Sequence, residues 1–342
     1  MKLEEQLRIL QPNIKLVTKI DSIISNCKNF NLNDTILVAG TPRSGTTWMM
    51  EILGGIKNYT YLFEPLHSNW FPETRKIGFE SRSYLPINTD WYEGKDYLYK
   101  VFTGKVVSDL PLYVLKPKMV LQRLFCNKLI VKAVRMNRML PWVSKNFKLK
   151  NMILIIRHPC AVIASQLKTG FFGYWSITPP YVNICPNRNM VLQEASKIDI
   201  LDEKNIKNLK KIETVEEVLA AVWCLDYYVP LSLKKPHPWT TVFYELLKKE
   251  GEKEIPRIFK EIGEINIKKS TYNKINNPSI LAMRDDLKVV KDTDKQLSKW
   301  KENLSKKQIE KILKVVSDFG LDFYTEDIEP DYKVFNSFCN SK

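Results

Sequence analysis

The chain has 342 residues, 44% of them hydrophobic and 27% charged, enough to bury a core of ordinary globular size, which excludes a disordered or fibrous protein. Its 53 Lys and Arg against 38 Asp and Glu leave a net charge of +15. That surplus favours anionic partners; nucleic acid, an acidic membrane face and a polyphosphorylated cofactor all fit, as does a merely basic soluble surface.

Residues 1–33 read as an N-terminal helical segment. Its opening, MKLEEQLRILQPNIK, lacks the apolar stretch of a secretory signal, and no run approaches the ~20 apolar residues that span a bilayer. A cytoplasmic protein is expected, with peripheral membrane contact left open. Six cysteines, Cys27, Cys126, Cys160, Cys185, Cys224 and Cys339, are scattered without a CxxC pair or a zinc pattern, so reduced thiols and no metal site are expected. No helix-turn-helix, RNP or zinc signature supports a nucleic-acid partner.

Short apolar or β-branched runs at 35–40, 59–63, 129–134, 151–156 and 239–243 read as buried strands, most followed by helical patterns. This alternation predicts an α/β fold. A central parallel sheet of about five strands carries helices on both faces, with ligands at the carboxyl ends of the strands. With no repeat or linker, 1–342 reads as one domain. Two stretches break the alternation, 66–127 and 170–215, and are expected to shape an acceptor pocket or lid. A helix is predicted from Ser305, with Gln308 completing its capping box, to a stop at Gly320.

The first strand runs into Gly40-Thr-Pro-Arg-Ser-Gly45-Thr46-Thr47-Trp48 and then an apolar helical run. A glycine-punctuated turn between strand and helix presents backbone N–H groups at the positive end of the helix, as a phosphate requires. The frame matches a Walker A loop except that Thr46 stands at the lysine position and Arg43 supplies charge from within the loop. A nucleotide hydrolase would also carry a magnesium-holding acid at the end of a later strand; here the 151–156 strand ends in Arg157. A basic residue there suits a second anionic group, hence a nucleotide with phosphates in two places.

The sequence resembles the sulfotransferases that use 3′-phosphoadenosine 5′-phosphosulfate (PAPS). Thr41-Pro-Arg-Ser-Gly-Thr-Thr-Trp48 is similar to that family's 5′-phosphosulfate loop, and Arg157-His-Pro-Cys-Ala-Val-Ile-Ala-Ser165 to its 3′-phosphate segment. Tyr244-Glu-Leu-Leu247 and Trp300-Lys301 also resemble family stretches, so most of the chain is covered and a P-loop-like fold is implied. The Glu64-Pro-Leu segment resembles the carbohydrate and tyrosylprotein branches. Where the small-molecule cytosolic branch carries Lys-Thr-His, this chain reads Lys132-Ala-Val-Arg135. The expected acceptor is therefore a glycan or glycoconjugate hydroxyl, with a small alcohol or phenol as the alternative.

The resemblance implies that Arg43, Ser44, Gly45, Thr46 and Thr47 hold the 5′-phosphosulfate, Arg43 neutralising the leaving phosphate, and that Arg157 and Ser165 hold the 3′-phosphate. Trp48 is expected either near the adenine or buried beneath the loop. Lys301 is expected in a basic segment closing over the nucleotide. Sulfuryl transfer needs a base for the acceptor proton. Glu64 is the first candidate, as in the carbohydrate branch, and His67 the reserve; the competing reading of Glu64 is a carboxylate that orients Arg43 or Lys132. Lys132 and Arg135 could stabilise sulfuryl oxygens, grip an acidic acceptor or be solvated charge. His158, Tyr244 and Glu245 read as structural. The aromatics Trp70, Phe71, Trp91, Tyr92, Phe171, Phe172, Tyr174 and Trp175 are expected to favour an acceptor site over the core. A P-loop kinase or NTPase and a non-catalytic basic scaffold remain the competing functions.

Overall fold

Five short runs of Ile, Val, Leu, Thr and aromatic residues are too apolar to sit at a surface, and all five are buried as strands of one parallel sheet. The computed structural model describes residues 19, 20, 22–24, 27–106, 123–176, 182–275, 277 and 292–341. Strand β1 (Thr35–Ala39) leads to helix α1 (Thr46–Leu53) and β2 (Tyr59–Phe63). After α2 (Tyr92–Phe102) come β3 (Lys128–Ala133), β4 (Asn151–Ile156) and α3 (Pro159–Thr169). A two-stranded antiparallel ribbon, β5 (Tyr174–Trp175) with β6 (Asn183–Ile184), precedes α4 (Arg188–Ala195), the long α5 (Val215–Leu231) and the last sheet strand, β7 (Thr240–Phe243). Near the end lie α6 (Trp300–Asn303) and α7 (Lys306–Asp318).

The sheet order is β2-β3-β1-β4-β7, every neighbour parallel. Strand β1 is therefore central, flanked by β3 and β4, and its five residues are wholly buried. The chain reverses direction in the sheet at β1, which opens a crevice at the carboxyl ends of β1, β3 and β4 where ligands of such folds bind. The expected strands are present within a residue or two, and the sheet is flanked by helices. The Ser305 helix forms as predicted, with a Ser305–Gln308 capping box and Gly320 in the left-handed region at its end.

The aromatics of the two insertions divide between core and surface. Phe71 and Tyr174 are buried, and Tyr97 and Phe102 of α2 join the same core, so these aromatics pack the domain instead of lining an acceptor site. A chain segment long enough to form its own helix buries its apolar face against the nearest layer whatever its loops do. Tyr92 is exposed, while Trp70, Trp91, Phe171 and Phe172 are half-buried. Residues 107–122 and 177–181 of the insertions lie outside the described residues, as do most of residues 1–33; residues 19, 20, 22–24 and 27 are helical. Among the described residues no helix is long and apolar enough to cross a membrane. All six cysteines are free thiols.

Candidate active site

Two of the three non-glycine residues with positive φ among the described residues are site candidates: Arg43 (φ 75°) and Glu64 (φ 49°). A side chain in the left-handed region costs about 1–3 kcal/mol and persists only where the surroundings impose it. Around Arg43 the imposition comes from the loop. The Ser44 N–H donates to the Thr41 carbonyl (3.1 Å), the Gln166 side chain donates to the Pro42 carbonyl (3.2 Å), and the Thr41 N–H donates to the Tyr227 hydroxyl (3.3 Å). Gly45 caps α1 at φ 99°, and a Cβ there would stand 2.6 Å from Cδ2 of Tyr244. The loop is thus a backbone cradle at a helix start that admits no larger residue.

The second anion segment meets the first directly. Arg157 follows β4, and its Nη1 donates to the Arg43 carbonyl at 3.0 Å. The Arg43 Nε donates to the Ser165 hydroxyl on α3 at 2.9 Å. The expected division, Arg43 on the 5′ side and Ser165 on the 3′ side, is therefore bridged by Arg43 itself. Arg157 lies over the Tyr244 ring at 4.4 Å, and its Nε is buried without a hydrogen-bond partner. An orphaned guanidinium N–H beside a cradle fits a phosphate oxygen. Trp48 is buried, donating to the Lys274 carbonyl at 2.8 Å and packing 5.0 Å from Tyr244.

His158 and Glu245 are both engaged in hydrogen bonds within the protein. The His158 Nδ1 accepts the Cys160 N–H (3.1 Å) to cap α3, which places the ring proton on Nε2 toward the Thr325 carbonyl (2.9 Å). Burial pulls its pKa down to about 3. Glu245 accepts from the His158 N–H and the Tyr324 hydroxyl, each at 2.9 Å, and burial pushes its pKa up to about 7. Trp300 stacks on His158 with centroids 4.5 Å apart, and Lys301 lies over Trp300 at 5.3 Å. Lys301 is exposed and near enough for its charge to depress His158, so the basic segment does reach the start of α3.

Glu64 ends β2 and is buried. Its Oε1 pairs with Lys132, its Oε2 lies 3.2 Å from Arg135 Nη1, and both oxygens accept the Val134 N–H at 3.3 and 3.2 Å. Burial pulls the Lys132 ammonium below its ordinary range against the raising pull of Glu64, and holds the Arg135 pKa at about 10. Glu64 is therefore paired with Lys132 and Arg135 at the carboxyl end of the strands, beside the loop that follows β1. His67 is buried, stacked on Trp70 at 3.8 Å, and its Nδ1 accepts the Asn69 N–H at 3.3 Å. Burial and the charges of Arg135, Lys132 and Arg75 push its pKa down to about 2, which makes it a poor proton acceptor.

One group of residues escaped the sequence reading. Asp226, in the buried helix α5, accepts from Arg82 Nη1 (2.6 Å) and Arg138 Nε (2.9 Å), and Arg138 Nη1 reaches Glu194 (2.7 Å), which also accepts from the Tyr174 hydroxyl (3.0 Å). Arg82 Nη2 donates to the Phe172 carbonyl (3.0 Å) and Arg135 Nη2 lies 3.4 Å from the Gly173 carbonyl. These contacts hold the start of the second insertion against the anion loop, where a Cβ on Gly173 would stand 2.6 Å from Cγ of Pro42. The available signal was a lone aspartate in the otherwise apolar run Val218–Leu231.

The family model described as the sulfotransferase domain matches residues 33–319. Among solved structures, the chain is similar to the sulfotransferase domain from the curacin biosynthetic pathway (15% identity, 82% of this chain and 95% of that one, TM-score 0.41). It is also similar to the sulfotransferase domain from the olefin synthase of Synechococcus PCC 7002 (15%, 85% and 95%, TM-score 0.41). A third is the mouse sulfotransferase SULT7A1 complexed with PAP (14%, 94% and 91%, TM-score 0.43). No curated protein matches the sequence.

Proposed function

Because the chain belongs to the sulfotransferase domain family, we propose that it transfers the sulfuryl group of PAPS to a hydroxyl of a glycan or glycoconjugate. The observation that carries the donor is the joining of two anion segments at adjacent strand ends, Arg157 to the Arg43 carbonyl and Arg43 to Ser165. A single cradle would serve any nucleoside diphosphate; two that share a residue suit a nucleotide phosphorylated at both ends of its ribose. In this reading the N–H groups from Ser44 to Thr47 face the 5′-phosphosulfate, Arg157 and Ser165 the 3′-phosphate, and Lys301 approaches from α6.

In the transfer the acceptor oxygen forms a bond to sulfur, the bond from sulfur to the 5′-phosphate oxygen breaks, and the acceptor proton leaves. Glu64 is the proposed recipient of that proton. Its pairing with Lys132 and Arg135 fixes its direction, and Lys132 would meet the sulfuryl oxygens as charge moves onto the phosphate. The glycan reading rests on the Glu64-Pro-Leu segment and on the half-buried rings of Trp70 and Phe172, which suit a sugar face.

Calorimetric titration with 3′-phosphoadenosine 5′-phosphate (PAP) and with ADP, without metal, on wild type and Arg157→Ala tests the donor. Tight PAP, weak ADP and loss of that preference in the variant are expected. Equal affinities in the wild type would remove the proposal and return the site to a P-loop kinase or NTPase.

A further inference from the structure

The end of the sheet opposite the active site carries its own chemistry. Phe125, at the end of the helical residues 123–125 before β3, is 83% exposed, its neighbour Leu124 is 42% exposed, and Ile265 is 88% exposed. The segments around Asn127 and Glu264 meet at the amino ends of β2 and β3. The Asn127 and Lys128 N–H groups donate to the Asn58 carbonyl, while Glu264 pairs with Lys128 and Lys150. Beside Ile265 opens a cavity of about 580 Å³ bordered by Lys57, Asn58, Lys128, Ile265 and Lys268.

Large apolar side chains so exposed are costly in water unless something covers them. The charge around them says what does. Lys57, Lys268 and Lys269 are exposed, and Lys28 reaches the Cys126 carbonyl at 3.3 Å. Glu264 is held by Lys128 and Lys150, so the rim stays cationic. Apolar tips ringed by lysines on a chain of net charge +15 match an anionic lipid surface, where the rings enter the headgroup boundary and the ammonium groups meet phosphates and carboxylates.

We propose that this end of the sheet, with Phe125 and Ile265 as its apolar contacts and Lys57 and Lys268 as its cationic ones, docks on anionic membranes. The active site stands at the other end of the same strands, roughly 17–20 Å away for strands of this length. Docking therefore leaves the donor crevice open to solvent.

The test is sedimentation of the full chain with sucrose-loaded vesicles of phosphatidylcholine, with and without phosphatidylserine, at moderate salt. Wild type should pellet only with phosphatidylserine, and less as salt rises. The double variant Phe125→Ser, Ile265→Ser should lose about tenfold or more in partitioning. Lys57→Glu, Lys268→Glu should remove binding, while PAP affinity stays at the wild-type value in both and reports an intact fold. Wild type remaining in the supernatant overturns the proposal. So does pelleting that neither double variant reduces. A dimer by light scattering that the apolar double variant abolishes, without lipid binding, assigns the surface to a second copy of the chain and overturns it equally.

Discussion

The Nη1 of Arg157 donates to the backbone carbonyl of Arg43 across 3.0 Å, so the residue that closes β4 holds the shape of the loop that closes β1. The same contact leaves Arg157 Nε as the buried donor without a partner. Arg157 thus has one task made with the protein and, in the proposed function, a second donor left for the ligand. Lysine can meet neither fork geometry in full.

Arg157→Lys is expected to weaken PAP binding roughly tenfold to a hundredfold, the range of ~1.5–3 kcal/mol for a hydrogen bond to a charged group, with ADP changed much less. Titration calorimetry reads both. A variant that binds PAP as tightly as wild type would mean that the 3′-phosphate lies elsewhere.

Gly45→Ala should abolish donor binding while the chain still folds. The added Cβ meets the Tyr244 ring, and the left-handed φ adds strain of about 1 kcal/mol. Loss of the PAP signal in calorimetry with retained circular dichroism is the expected result. Tyr244→Ala in the same background relieves the clash but leaves the φ penalty, so only partial recovery is expected.

Glu64→Gln separates proton acceptor from positioning group. As a base, Glu64 is worth about 10²–10⁴ in kcat, with PAP affinity unaltered. If it serves only to orient Lys132, the amide keeps part of that contact and the rate falls by tenfold or less. Turnover of radiolabelled donor over a panel of sugar acceptors, measured across pH, distinguishes the two.

His67 makes acid stability predictable. Its folded pKa, near 2, lies below the unfolded value near 6.5, so the stability it contributes is full above pH 6.5 and is lost as pH falls. At pH 5 the unfolded chain gains about 2 kcal/mol from protonating this one ring. His67→Asn should therefore lose about that much less stability than wild type between pH 7.5 and pH 5 in urea titrations.

Glu245 has the opposite sign. Its folded pKa, near 7, lies above the unfolded one, so its burial is free of cost below about pH 4 and weighs on the fold as pH rises through 7. Glu245→Gln should gain on wild type by about 3 kcal/mol between pH 4 and pH 8. Parallel stability curves over that range would show the carboxylate to be compensated in the native state.

Much of this molecule was readable before folding. The strands, the Gly40–Trp48 turn and the Ser305 helix are local, encoded in runs, glycines and caps a few residues apart. Arg43, Glu64 and Arg157 were placed at the ends of strands and Ser165 on the helix after the fourth, and the structure joins Arg157, Arg43 and Ser165 by hydrogen bonds. What stayed hidden is long-range. Asp226 meets Arg82 and Arg138 across 144 and 88 residues, and no spacing rule links them. Nor could composition separate the aromatics of the insertions into core and surface, because Phe71 and Trp70 differ by one position and their burial is decided by packing.

With Phe172 proposed to meet the acceptor and the loop around Arg43 the donor, the close fit of Gly173 to Pro42 would put the two substrates on either side of one contact. A donor that tightens the loop around Thr41 to Arg43 shifts the surface on which residues 171–174 rest, and an acceptor that presses on those residues acts back on the loop. Donor and acceptor affinities are expected to depend on one another by the same factor in both directions, as linkage requires. Pro42 would then carry to each site whether the other is filled.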